Sequence, residues 1–124
     1  MKYFAELQKA DFKKQPENFL KAVIIKPQVF GGFINTYKLI KAAKGFNVQN
    51  VISNIFETSL SISAIAVFLF ITGQNSVPAG LDTVDSFVED VGCLNIKSKN
   101  SKISVKNAYD NLRKIDYSLV VSMD

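Results

Sequence analysis

Histidine is absent from the 124-residue chain, and cysteine occurs once, as Cys93. The first absence removes the usual zinc ligand sets and any serine–histidine–aspartate triad. The second excludes an internal disulfide and suits a reducing compartment. Tryptophan is missing too, only three prolines occur, and no low-complexity tract is present, while 48% of the residues are apolar. Such a composition can bury a core. Lysine and arginine exceed aspartate and glutamate by 15 to 11, but the lysines are scattered and no aromatic–basic alternation accompanies them. The excess reads as solvated surface, with no nucleic-acid partner.

Long hydrophobic runs are also scarce. The best candidate, "LSISAIAVFLFIT" at 60–72, is well short of the roughly 20 residues that span a bilayer, and Glu57 sits just before it. A buried helix is expected there, and no membrane span. The opening "MKYFAELQKADFKK" carries charges through its apolar positions, so it reads as an amphipathic helix over 4–14, with no export implied.

What is present is a regular alternation of strand and helix. After Pro16, "AVII" at 22–25 is continuous and β-branched, the pattern of a parallel strand covered on both faces. It stops at Lys26 and Pro27. Beyond Gly31 and Gly32, "FINTYKLIKAAK" places Phe33, Tyr37, Leu39, Ile40 and Ala43 on one helical stripe, with Asn35, Lys38 and Lys41 opposite and Gly45 suited to the position after the helix. "VQNVIS" at 48–53 predicts a second strand and 57–72 a nearly all-apolar helix. "SVPAGLDT" predicts a short third strand or turn, and Ser86 to Val91 one helical turn. A hairpin is expected within "LNIKSKNSKISV", turning near Lys99 and Asn100. The tail "NAYDNLRKIDYSLVV" is ambiguous between helix and strand.

Lys26, Ser53 and Gly80 are spaced 27 apart, each ending a strand-like segment, a period that suits a repeated βα unit. Such repeats predict an α/β fold with functional residues at the strand C-terminal ends. Two architectures accommodate three repeats: a small open doubly wound sheet, or part of a (β/α)8 barrel, which as a whole needs about 250 residues. The glycine pair fits neither GxGxxG nor GxxxxGK[ST], so no nucleotide site is inferred.

The stretch "AVIIKPQVFGGFINTYKLIKAAKGFNVQNVISNIFETSLSISAIA" followed by "VPAGLDT" resembles the C-terminal half of the barrel in the o-succinylbenzoate synthases of the enolase superfamily, from about Lys21 to Asp90. The elements that carry the resemblance are "IKP", the "GG" loop, "VISNIFETS" and "PAGLDT". "KP…GG" is shared with related racemases and cycloisomerases, whereas "GLDT" after an apolar helix points more narrowly to the synthases. The implied architecture is a partial TIM-type barrel, comprising its last three βα units over 1–92 and a C-terminal extension of hairpin and tail over 93–124.

The resemblance implies a lyase of menaquinone or phylloquinone synthesis, in the cytoplasm or a plastid stroma. It dehydrates 2-succinyl-6-hydroxy-2,4-cyclohexadiene-1-carboxylate, a small-molecule substrate, to 2-succinylbenzoate. A proton alpha to a carboxylate is only weakly acidic, so positive charge must meet the developing enediolate. Lys26 matches the catalytic lysine of the sixth strand, acting by electrostatic and cation–π contact. Ser53 and Gly80 match substrate-binding positions at the succinyl end, and Asn54, their neighbour on the same rim, is assigned to substrate binding with them. Mg2+ is expected for the complete enzyme, but its carboxylate ligands, the base lysine and a capping domain belong to parts expected to precede Met1. No metal ligand is therefore assigned, even to Glu57 or Asp82. The isolated chain is expected to be inactive, and three explanations stay open: a truncated or split frame completed by a separate N-terminal half chain, self-association that rebuilds a barrel, or a decayed gene remnant.

Without the resemblance, Lys26 reads as a solvated strand cap, Ser53 as a partner for a backbone group and Gly80 as a turn glycine. Two other readings remain open: a fragment of a related racemase or cycloisomerase, and a non-catalytic α/β interaction module.

Overall fold

The computed structural model describes residues 21–83, 90–92 and 96–119. The expected N-terminal helix over 4–14 lies outside them, as does most of the predicted turn at Ser86 to Val91. The elements run β1 (Ala22–Ile25), α1 (Phe33–Gly45), β2 (Gln49–Ile52), α2 (Ser59–Ile71), α3 (Val105–Asn111) and a 3-10 turn (Tyr117–Leu119). Two compact units result. One contains β1, α1, β2 and Val77–Ala79; the other contains Asn54–Ser76 and the chain from Gly80 onward.

In the first unit β1 and β2 pair in parallel, from Ala22 opposite Gln49 to Ile25 opposite Ile52. Parallel strands require a crossover, and α1 fills it, packing on β2. Its buried stripe is Thr36, Ile40 and Ala43. Phe33 and Tyr37, expected on that stripe, lie at its margin, 37% and 40% exposed, with the Lys41 ammonium 4.6 Å from the Tyr37 ring centre. The stripe thus centres on a threonine.

Both glycines of the loop before α1 have left-handed backbones, φ 84° at Gly31 and 90° at Gly32, a region that costs other L-residues about 1–2 kcal/mol. At the far end the left-handed position falls on Asn47 (φ 55°), where asparagine is tolerated, while Gly45 remains helical. The helix runs further than the glycine suggests because Val48 N–H can still donate to the Ala43 carbonyl at 3.0 Å.

Side chains alternate across a strand, and the burial alternates with them. Ile25, Asn50 and Ile52 are buried, whereas Ile24 on the opposite face is 71% exposed. The expectation that "AVII" is covered on both faces is thus corrected: one face is covered and the other is open. Of the short third strand or turn expected at "SVPAGLDT", the turn forms: among the described residues the sheet has two strands, and Gly80 within the segment is a single bridge residue.

The second unit is built on α2. Ile62 and Ile65 are fully buried and only its C-terminal residues Phe70 and Ile71 are largely exposed. The buried helix expected here forms, and α3 packs along it, resolving the tail's first part as helix. No described helix is long and apolar enough to cross a membrane.

Polar groups fix the start of α2. Its cap residue Thr58 makes no side-chain cap bond. The Asp90 carboxylate takes that place, accepting from Ser59 N–H at 2.7 Å, Ser59 Oγ at 2.9 Å and Gly92 N–H at 3.0 Å. An anion at a helix N-terminus is favoured by the exposed amides there. Buried Asn111 completes the cluster, its Nδ2 donating to Ser59 Oγ at 3.2 Å and Ser63 Oγ at 3.0 Å. Asp90→Ala leaves the buried Ser59 donors unmet, so the urea midpoint of this unit is expected to fall by an amount equivalent to about 2–3 kcal/mol. An unchanged midpoint would show that the carboxylate does not anchor the helix.

The expected hairpin turn forms at Asn100 and Ser101, with φ of 52° and 59°. Lys99 and Lys102 exchange backbone hydrogen bonds across it, at 2.8 and 3.1 Å, as a type I′ turn requires.

Candidate functional site

The C-terminal ends of β1 and β2 are brought together by the ladder itself. Ser53 N–H donates to the Ile25 carbonyl at 2.9 Å, so the residue after β2 lies beside the end of β1, where Lys26 follows. Alternation places Lys26 on the same face as exposed Ile24. Lys26 is exposed and Ser53 half-buried. The turn after Lys26 is closed by Phe30 N–H donating to its carbonyl at 2.9 Å and by Gly32 N–H donating to Pro27 at 2.7 Å. Buried Pro27 thus anchors the chain just beyond the lysine and leaves its ammonium in solvent.

Asn54 and Gly80 belong to the second unit. Asn54 is buried, 4% exposed; its N–H donates to the Gly80 carbonyl at 3.0 Å and its Nδ2 to Thr83 Oγ1 at 2.5 Å. Thr83 Oγ1 donates in turn to the Ile55 carbonyl at 3.4 Å, and Glu57 Oε1 accepts from Ile55 N–H at 2.9 Å. The loop after β2 is therefore tied to the "GLDT" segment side chain by side chain. Thr83 was not singled out by sequence, although it is the last letter of that motif; the signal was its hydroxyl at a fixed place after the glycine. Asn54→Ala removes the central donor, and the expected cost is about 1–3 kcal/mol, read as a lower urea midpoint with faster amide exchange at Ile55 and Thr83.

Chemically, the strand ends offer one ammonium and one hydroxyl, a pair that can neutralise and hydrogen-bond an anion. They offer no metal cage. Among the described residues no group of three histidines, cysteines or carboxylates is close enough to hold an ion. Glu57 is engaged with Ile55 N–H, and Asp82 Oδ2 accepts from Ser98 Oγ at 2.8 Å. The Mg2+ expected for a complete enzyme thus finds no ligand set in these residues.

The fold defines an α/β protein with a parallel strand pair whose C-terminal ends carry a lysine and a serine. No protein-family model matches the chain. Curated o-succinylbenzoate synthases do. That of Pasteurella multocida is 38% identical over 80 residues, covering 61% of this chain and 23% of the relative. That of Vibrio cholerae is 36% identical over 78 residues, covering 63% and 23%. That of Escherichia fergusonii is 32% identical over 79 residues, covering 64% and 24%. Over this partial region the chain is homologous to o-succinylbenzoate synthases. It spans about a quarter of the length of the relatives it matches.

Proposed function

We propose that the segment contributes the lysine-bearing strand pair of an o-succinylbenzoate synthase active site, a lyase site that dehydrates 2-succinyl-6-hydroxy-2,4-cyclohexadiene-1-carboxylate to 2-succinylbenzoate in menaquinone or phylloquinone synthesis. The observation that carries the reading is the register: in a segment homologous to these enzymes, β1 and β2 end side by side at Lys26 and Ser53. Loss of the alpha proton builds negative charge on the substrate carboxylate, and departure of hydroxide then yields the aromatic ring. Lys26 opposes that charge from its strand end, where a preorganised cation contributes most. Ser53 donates a hydrogen bond to the succinyl end. Asn54 and Gly80 serve substrate binding by holding the loop after β2 in place, since the Asn54 amide is already committed to Thr83.

The sheet face carrying Ile24 is open, as expected of strands taken from a (β/α) barrel whose interior they would line. Further parallel βα units, from the same polypeptide or a separate chain, cover it in this reading and carry the carboxylates that would hold Mg2+, an ion that would supply Lewis-acid stabilisation of the substrate carboxylate. The test is reconstitution: this chain is mixed with the complementary portion of the Pasteurella multocida relative, and 2-succinylbenzoate is followed with Mg2+ present. Product is expected from the mixture and from neither piece alone. A mixture that associates yet makes no product refutes the reading.

A further inference from the structure

We propose that the cleft beside the hairpin tip in the second unit is a binding site for an organic phosphate monoester. It uses none of the residues assigned to the reaction. Its volume is about 530 Å3, within the 300–1,000 Å3 usual for small-molecule sites. Lys99 and Lys102 line it together with Lys97, Ile96, Ile103 and Asn107, and among the described residues no carboxylate does.

Lys99 and Lys102 pair directly across the turn, and like charges in directly opposed positions repel. The backbone imposes that pairing, because Asn100 and Ser101 both occupy left-handed conformations. A dianion in the cleft offsets the repulsion that the turn builds in. Half-buried Ile103 lines the cleft above buried Ile96, so part of its wall is apolar, which suits the carbon skeleton of an ester better than free inorganic phosphate. The nearby carboxylate of Asp82 is taken up by Ser98 Oγ at 2.8 Å and is not part of the lining.

The Lys99 and Lys102 side chains are exposed and their backbones close the turn, so truncating these two leaves the fold intact. The experiment titrates the 124-residue chain with phenyl phosphate and with inorganic phosphate at low salt, followed by amide NMR shifts. Saturable shifts confined to 96–107 are expected, with phenyl phosphate binding several-fold more tightly. Lys99→Ala/Lys102→Ala is expected to weaken that binding by about tenfold or more, consistent with loss of two charged contacts. The charge-matched control Lys38→Ala/Lys41→Ala on α1 is expected to leave it unchanged. Absence of saturable shifts at 96–107, equal weakening by the control, or equal affinity for the two phosphates overturns the proposal. Tighter binding of a short oligothymidylate than of phenyl phosphate also overturns it, in favour of a polyanion surface.

Discussion

Lys26→Ala is expected to lower the rate of 2-succinylbenzoate formation by about 100- to 1,000-fold when this chain's matched segment is grafted into the Pasteurella multocida relative in place of its own. The expectation rests on position. Lys26 follows the last residue of β1, and Ser53, which follows the last residue of β2, is hydrogen-bonded to that same strand end at 2.9 Å. A cation fixed there meets charge that develops only as the proton leaves, so its removal should depress kcat more than it raises KM. Lys26 is exposed and its side chain supports no described packing, so the variant should keep its melting temperature. Lys26→Arg preserves the charge with a larger, planar head and is expected to recover only part of the rate. If Lys26→Ala changes KM alone, the lysine merely attracts the substrate. If it changes neither constant, the residue is a solvated strand cap.

The largest expected structural effect belongs to Gly92. A methyl group there would collide with Ser59 Oγ and sit 2.8 Å from Asn111 Nδ2 and 3.0 Å from its Oδ1. Both partners are buried, Ser59 at 1% and Asn111 at 0% exposure, and both belong to the cluster that starts α2, so neither can swing into solvent. Gly92→Ala therefore overpacks the site and breaks its hydrogen bonds together, for an expected loss of about 3–5 kcal/mol. Against the 5–15 kcal/mol that holds an ordinary domain together, such a loss unfolds much of the unit at moderate urea. Adding Ser59→Ala removes the nearest obstacle and is expected to restore part of the loss. A Gly92→Ala protein as stable as the parent, or a double variant worse than either single one, would show that the cluster is not close-packed as described.

The strand pair was legible because its information is local. Four consecutive apolar residues ended by Lys26 and Pro27 announce β1, and the 27-residue spacing from Lys26 to Ser53 announces a second strand end in the same register. Gly80 shares the spacing yet lacks a strand, since "SVPAGLDT" offers no apolar run to pair. Ile24 shows the limit of composition: a β-branched run signals that a strand can be covered on both faces, not that cover is present. Asn47 took the left-handed position expected at Gly45 because Val48 could still reach the Ala43 carbonyl. The cluster that starts α2 left no trace in the sequence, since its members are brought together from 31, 48 and 52 residues apart. Such distances are set by the fold, and each polar residue alone reads as surface.

Whether these strands furnish part of an o-succinylbenzoate synthase site is decided by the rate of the graft with Lys26 intact. Mg2+-dependent 2-succinylbenzoate formation is expected, falling with Lys26→Ala while the folded fraction stays the same. A folded graft that produces none, with its parent active under the same conditions, would contradict that role.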